Sequence, residues 1–471
     1  MNEDCFIDKF MDWLSLQEAE ELARQSDWLK RQGKIHPRDF LLSLVCGQMS
    51  ALKLTLNAQI QSLPEPVSPQ GLDQRFNPAA PVFFEACFKR GLAKALATPA
   101  SEGWEPGEQL RRYFSAVYLT DSSSFDVTPS LKELYPGCGG DGSAANVKVL
   151  LRYEVLSGRL EPLKLLPGKR SDQGLALEMA ERLGPGELQI ADTAFSVAAA
   201  WRLAQQKGAC LLGPVSHQVS VWLAPATQGA PDPAQRLNLA KALAQVTQNC
   251  CEWSQVYLGQ GAHQAGPVRL VAFRLRPESA GRHRAALRES MRRQGRTPSQ
   301  EALELAGWLI LATNASAEQI PTAVMGYLYR LRWQVELVFR QLKSALRLDQ
   351  SNSDKSSRVQ CEIWARLLAG VMIFAWHAQA NAVCWATRGC EASFEKVSAL
   401  FQQWGQTLAR AFWQGAEALR QVLQSMWRHT LKLARKGRQK NRTNTWDKLR
   451  ELWLKPQSSP ELATGSEAGS Q

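Results

Sequence analysis

Two apolar runs, residues 113–120 and 188–191, each stop on an aspartate, Asp121 and Asp192. Apolar runs this short, bounded by polar residues, read as buried strands, so each aspartate is expected at a strand end. Between and after them the texture keeps changing. Residues 146–155 and 160–166 alternate like paired strands joined by Ser157-Gly158-Arg159. Residues 175–183 read as a helix closed by Gly184-Pro185-Gly186, and residues 197–206 as another. Strand, strand, strand, helix, strand, helix excludes an all-helical or all-β chain. It predicts an α/β fold: a mixed sheet with helices packed on it.

The 471 residues exceed one compact core, at roughly 150 residues per domain. We expect an N-terminal helical domain over 1–105, with the sheet core over 106–212 and 305–385. A β-rich insertion is expected over 213–304, and a basic helical region with a disordered tail over 386–471. In the first of these, residues 40–63 read as one long helix ended by Pro64 and Pro66. Ser68 and Pro69 open a second helix as N-cap and first-turn residue, and residues 81–96 form a third. Gln70, Gln74 and Arg75, read as exposed, fit a helix-turn-helix reader of DNA, and a plain helical bundle equally. The insertion holds strands near 219–223, 255–258 and 268–275 and a basic stretch, 282–296. Residues 308–312 then read as a strand, with helices over 317–347 and 362–382.

Lys and Arg number 56 against 44 Asp and Glu, a charge of +12 that favours a polyanionic partner. A second basic run covers 428–450. Ten cysteines show neither a C-x-x-C pair nor zinc-ligand spacing, which suits reduced thiols in a cytoplasmic protein. The acidic start is not followed by an apolar signal segment. The most apolar stretch, 363–376, contains Arg366 and falls short of the roughly 20 residues a bilayer needs, so a buried helix and no membrane partner are expected.

Several signatures compete for the chemistry. The glycine-rich run 137–142 matches G-x-G-x-x-G, but a strand-like run follows where a dinucleotide site needs a helix, so it reads as a turn. The six histidines form no recombinase set with arginine and tyrosine. Ser122, Ser123 and Ser124 lack an activating base, and Asp126 and Asp172 read as loop or turn acids. On a helical wheel of about 100° per residue, Arg332, Glu336 and Lys343 fall within roughly 40° of one another. Leu331, Val335, Phe339 and Leu346 occupy the apolar arc that borders them. One carboxylate thus sits in a cationic stripe, which by itself also describes a solvated helix face. Asp121 and Asp192 shift the balance. Three carboxylates from two strand ends and a helix can bridge two magnesium ions flanking a phosphodiester.

Tyr329, Arg332, Glu336 and Lys343 reproduce the Y-x2-R-x3-E-x6-K signature of the insertion-sequence four family of bacterial DDE transposases, which residues 110–380 resemble. Asp121 in Tyr-Leu-Thr-Asp-Ser-Ser and Asp192 in Ile-Ala-Asp-Thr-Ala-Phe resemble its first two acids. The resemblance implies a ribonuclease H-like fold and cleavage of terminal inverted repeats, with joining of 3′-hydroxyls to target DNA. Cut-and-paste is the expected route, in a synaptic homodimer associated with the nucleoid. It implies two Mg²⁺, with Mn²⁺ as a substitute, held by Asp121, Asp192 and Glu336. Tyr329, Arg332 and Lys343 would contact DNA phosphates. Trp308 resembles an aromatic that stacks on a flipped base; a core strand aromatic is the other reading. A ribonuclease H-like nuclease that only hydrolyses, and a non-catalytic domesticated DNA-binding regulator, are the rival functions.

Overall fold

The computed structural model describes the chain except residues 1–2, 13–14, 32, 50–53, 97–104, 140–142, 217–218, 226–231, 261–263, 345, 348–349, 351–352, 436–444 and 455–471. The end of the glycine-rich turn, part of the second basic run and the expected disordered tail lie outside the described residues.

The N-terminal segment holds α1 (Glu3–Met11), α2 (Leu16–Gln25), α3 (Pro37–Met49), α4 (Leu56–Ile60), α5 (Pro69–Asp73), α6 (Ala80–Leu96) and α7 (Glu105–Arg111). Next come β1 (Ala116–Asp126), β2 (Asn146–Glu154), β3 (Arg159–Pro167), α8 (Asp172–Glu181), β4 (Glu187–Ala191), α9 (Ala198–Gln206) and β5 (Cys210–Pro214). Residues 215–307 hold β6 (Val221–Trp222), α10 (Leu239–Ala244), β7 (Cys250–Leu258), β8 (Ala265–Arg274), α11 (Pro277–Arg293) and α12 (Gln300–Leu305). The chain continues through β9 (Trp308–Thr313), α13 (Thr322–Arg330), α14 (Trp333–Ser344) and α15 (Ser356–Arg388). It closes with α16 (Phe394–Gln414), α17 (Ala416–Leu433) and α18 (Thr445–Leu454).

Among the described residues nine strands form one mixed sheet in the order β3-β2-β1-β4-β5-β9-β8-β7-β6. β1, β4 and β5 are parallel, while β9, β8, β7 and β6 continue antiparallel beyond β5. The run 3-2-1-4-5 with a parallel centre is the ribonuclease H-like arrangement, so the expected α/β fold is what the chain adopts. The β2–β3 hairpin turns at Gly158, whose φ of 71° suits a residue without Cβ.

The chain packs as two compact units. One comprises Met1–Trp104, Ser122–Arg170 and Val335–Lys440; the other comprises Glu105–Asp121, Ser171–Gln334 and Asn441–Gln471. In the first, α15 is the central helix, packed by α3, α6 and α16. It is long and apolar enough to cross a membrane, but 72% of its apolar window is buried in the protein. Its Arg358, Glu362 and Arg366 are buried as well, paired along one side. Trp376 sits in an aromatic cluster with Phe6, Phe10, Phe401 and Trp427, ring centroids 5.0–5.5 Å away.

Four expectations are corrected here. The single helix over 40–63 is two. Thr55 caps α4 through its hydroxyl, and Leu54 folds back over Gly47, where a Cβ would lie 2.6 Å from it. The helix over 317–347 begins only after Pro321 and is broken at Leu331 and Arg332. β1 runs past Asp121 to Asp126, although its pairing with β4 stops at Thr120. Of the residues expected to be exposed near α5, Arg75 is half-buried, 5.8 Å from the Trp28 ring, and its carbonyl accepts from the Trp28 indole.

Candidate active site

Asp121 and Asp192 meet through strand register. β1 and β4 pair in parallel up to Thr120 and Ala191, so the two aspartates are the next residues on adjacent strands. Neighbouring strands lie about 4.8 Å apart, which puts both residues side by side at the same end of the paired stretch of β1 and β4. Asp192 is fixed locally. Its Oδ1 accepts from the Ala194 and Phe195 amides at 2.9 and 3.3 Å, capping a short 3₁₀ turn. Asp121, mostly buried, faces the Arg332 guanidinium at 3.6 Å.

Arg332 reaches this position because the helix is broken. The Leu331 and Arg332 amides donate to the Leu328 and Tyr329 carbonyls, three residues back, both at 3.0 Å. This tightened turn ends α13 and starts α14. Tyr329 therefore belongs to α13, Arg332 to the turn, and Glu336 and Lys343 to α14. The angle of Arg332 is set by that turn and not by a continuous wheel. Its guanidinium lies 6.0 Å from the Tyr329 ring centre. Glu336 stands in the first turn of α14 and Lys343 in the last, where the helix dipole favours a carboxylate and a cation respectively. Lys343 Nζ donates to the Ser124 carbonyl at 3.0 Å. Asp121, Asp192, Tyr329 and Arg332 belong to one unit; Glu336 and Lys343 belong to the other.

Trp308 is the first residue of β9. Its ring is half-exposed and lies 4.3 Å from the guanidinium of Arg274, its cross-strand partner. β9 runs antiparallel to β5, and β5 parallel to β4. Trp308 therefore lies toward the same end of the sheet as Asp121 and Asp192. One aromatic escaped the sequence reading: Trp333, next to Arg332, is 43% exposed. Its wheel angle, about 40° and away from the apolar arc, was the available signal.

The two aspartates supply hard oxygen donors just past the paired stretch of β1 and β4, as a divalent ion requires. A cation bound there would compete with Arg332 for Asp121. Among the described residues no group of three or more His, Cys, Asp or Glu side chains is gathered as a metal site.

A ribonuclease H-like sheet with aspartates just past the paired stretch of two adjacent parallel strands defines a class, the polynucleotidyl transferases and nucleases. The chain belongs to the family described as the transposase DDE domain, which matches residues 112–372. It is similar to the transposase for insertion sequence element IS231F of Bacillus thuringiensis subsp. israelensis, 27% identical over 77% of this chain and 78% of that one. The transposase for IS231E of B. thuringiensis subsp. finitimus is 23% identical over 94% of both chains. That for IS1151 of Clostridium perfringens is 25% identical over 75% of this chain and 76% of its own. A solved piggyBac transposase synaptic complex with hairpin DNA aligns over 94% of this chain and 85% of that one, at 10% identity and a TM-score of 0.43. The protein is accordingly a DNA transposase of an insertion sequence. Enzymes of this family generally use divalent metal ions.

Proposed function

We propose that this transposase binds the terminal inverted repeats of its element, cleaves the DNA ends and joins the 3′-hydroxyls to target DNA by cut-and-paste, acting as a homodimer. The observation that carries the reading is the adjacency of Asp121 and Asp192 on neighbouring parallel strands. Asp121, Asp192 and Glu336 would hold two Mg²⁺, which would supply Lewis-acid stabilisation of the charge on the attacking and leaving oxygens. Arg332, oriented by Asp121, and Lys343, steadied on the Ser124 carbonyl, present cations to phosphates near the scissile bond. Tyr329 flanks Arg332 and would contact a phosphate through its hydroxyl. Trp308 offers a ring to a base displaced from the stack, and stacking recovers part of the unpairing cost. The N-terminal helices read the repeats.

The test is a purified full-length chain incubated with a pre-nicked terminal-repeat duplex, Mg²⁺ and a supercoiled plasmid. Joined product is expected, and it should vanish in Asp121→Ala and Glu336→Ala. Hydrolysis without joining would make the protein a nuclease only. Full biological effect from both variants would make it a DNA-binding regulator.

A further inference from the structure

The chemistry proposed above leaves the basic stretch of the insertion unused. Residues 276–296 carry seven arginines against Glu278 and Glu289. The helix they form, α11, is held by a narrow face: Ala280 is buried, and Arg284 Nε donates to the Leu303 carbonyl at 2.9 Å. Arg282, Arg288, Arg292 and Arg293 are exposed, and so are Ala285 and Ala286, small enough to let a ligand approach the helix closely. Glu289 accepts from Arg292 at 2.9 and 3.0 Å and from Arg293 at 3.1 Å. Solvent-exposed pairs of this kind are weak and yield to a stronger anion. The acids of α12 are engaged elsewhere, Glu301 by Asn238 and Glu304 by Gln300.

Placement gives this face its meaning. The Arg274–Trp308 pair and the Leu275 amide, donating to the Gly307 carbonyl at 2.9 Å, close the base of the α11–α12 hairpin. That base lies toward the sheet end that carries Asp121 and Asp192. The 17 residues of α11 span about 25 Å, some seven base pairs of duplex.

We infer that the outer face of α11 binds the phosphate backbone of the target duplex, independently of its sequence. Arginines on phosphates position DNA without reading it, which suits a DNA of no fixed sequence. The donor flank is also of no fixed sequence, but it is covalently joined to the terminal repeat and arrives with it at high effective concentration. The target is a separate molecule, whose capture gains from a cationic surface of its own. The inference rests on the strand-transfer reading above.

The experiment compares the full-length protein with the triple variant Arg282→Gln, Arg288→Gln, Arg293→Gln. None of these arginines anchors the hairpin, so melting should be unchanged. With precleaved terminal-repeat duplexes, Mg²⁺ and a plasmid target, joined product should fall about tenfold, while binding to the terminal repeat stays within about twofold. The salt dependence of binding to random-sequence duplex should flatten by about 2–3 in log–log slope. The corresponding triple lysine variant should keep most of both. An unchanged slope overturns the surface. A defect seen only with flanked ends, absent with precleaved ones, assigns it to donor DNA and overturns the target assignment. If the wild-type protein joins nothing, the strand-transfer reading fails, and with it the target assignment, while the slope still decides whether α11 binds duplex.

Discussion

At the end of β4, Asp192 caps a turn and, under the proposed function, also holds a metal ion; substitution can divide the two. Its Oδ1 caps the 3₁₀ turn that follows, through the Ala194 and Phe195 amides. Its charge is what a divalent ion would require. Asparagine keeps an acceptor oxygen in the same place and loses the charge; alanine loses both. Asp192→Asn is therefore expected to abolish end cleavage while changing stability by less than about 0.5 kcal/mol. Asp192→Ala should abolish cleavage and cost about 1 kcal/mol as well. Urea denaturation beside a cleavage assay checks both. Equal destabilisation by the two variants would remove the capping role, and retained cleavage in Asp192→Asn would remove the catalytic one.

Among the elements, α13 delivers Tyr329 and the Arg332 turn, and its start is clamped to the sheet by a buried cation. Arg269 on β8 donates to Glu252 at 3.0 Å, to the Ile320 carbonyl at 2.9 Å and to the Thr322 hydroxyl at 3.1 Å. A lysine cannot reproduce this planar fork, so Arg269→Lys should cost about 1–3 kcal/mol in chemical denaturation. The exposed Arg288→Lys should stay within about 0.5 kcal/mol of wild type. Equal stability of the two would mean that the clamp contributes nothing. None of this clamp was legible in the sequence, because Arg269, Glu252 and Thr322 are brought together only by the fold. Nor was the break at Leu331. No proline or glycine marks it, and it follows from the burial of Leu331 and Arg332's approach to Asp121. β5, the five-residue Cys210–Pro214, also escaped notice, being too short to show a period. What could be read was local: apolar strands stopping near Asp121 and Asp192, the Ser68-Pro69 helix start, the Gly158 hairpin. On α14 the phase of the wheel holds, since Val335 and Phe339 are buried.

Taken whole, the chain is woven, each compact unit being assembled from three separated stretches of sequence. The consequence is sharpest for the first 104 residues. α3 is apolar nearly all round, with Phe40, Leu41, Leu42, Leu44 and Val45 buried, and such a helix needs neighbours on every side. Those neighbours include α15 and α16, which begin more than 300 residues later in the sequence. α6 packs on α15 too, with Phe88 5.2 Å from Trp364. Polar links follow the same route: Arg366 on α15 donates to Gln48 of α3 at 3.0 Å, and Lys355 pairs with Asp73 of α5 at 2.9 Å. A fragment of residues 1–104 would expose these apolar faces and leave Gln48 and Asp73 without their partners. It is expected to retain helical far-ultraviolet dichroism, bind a hydrophobic dye such as anilinonaphthalene sulfonate, and melt without a cooperative transition. A sharp melt with no dye binding would show that the N-terminal helices are self-sufficient. Loss of cooperativity in the fragment, against a cooperative full-length chain, would show that these helices take their fixed packing from α15 and α16.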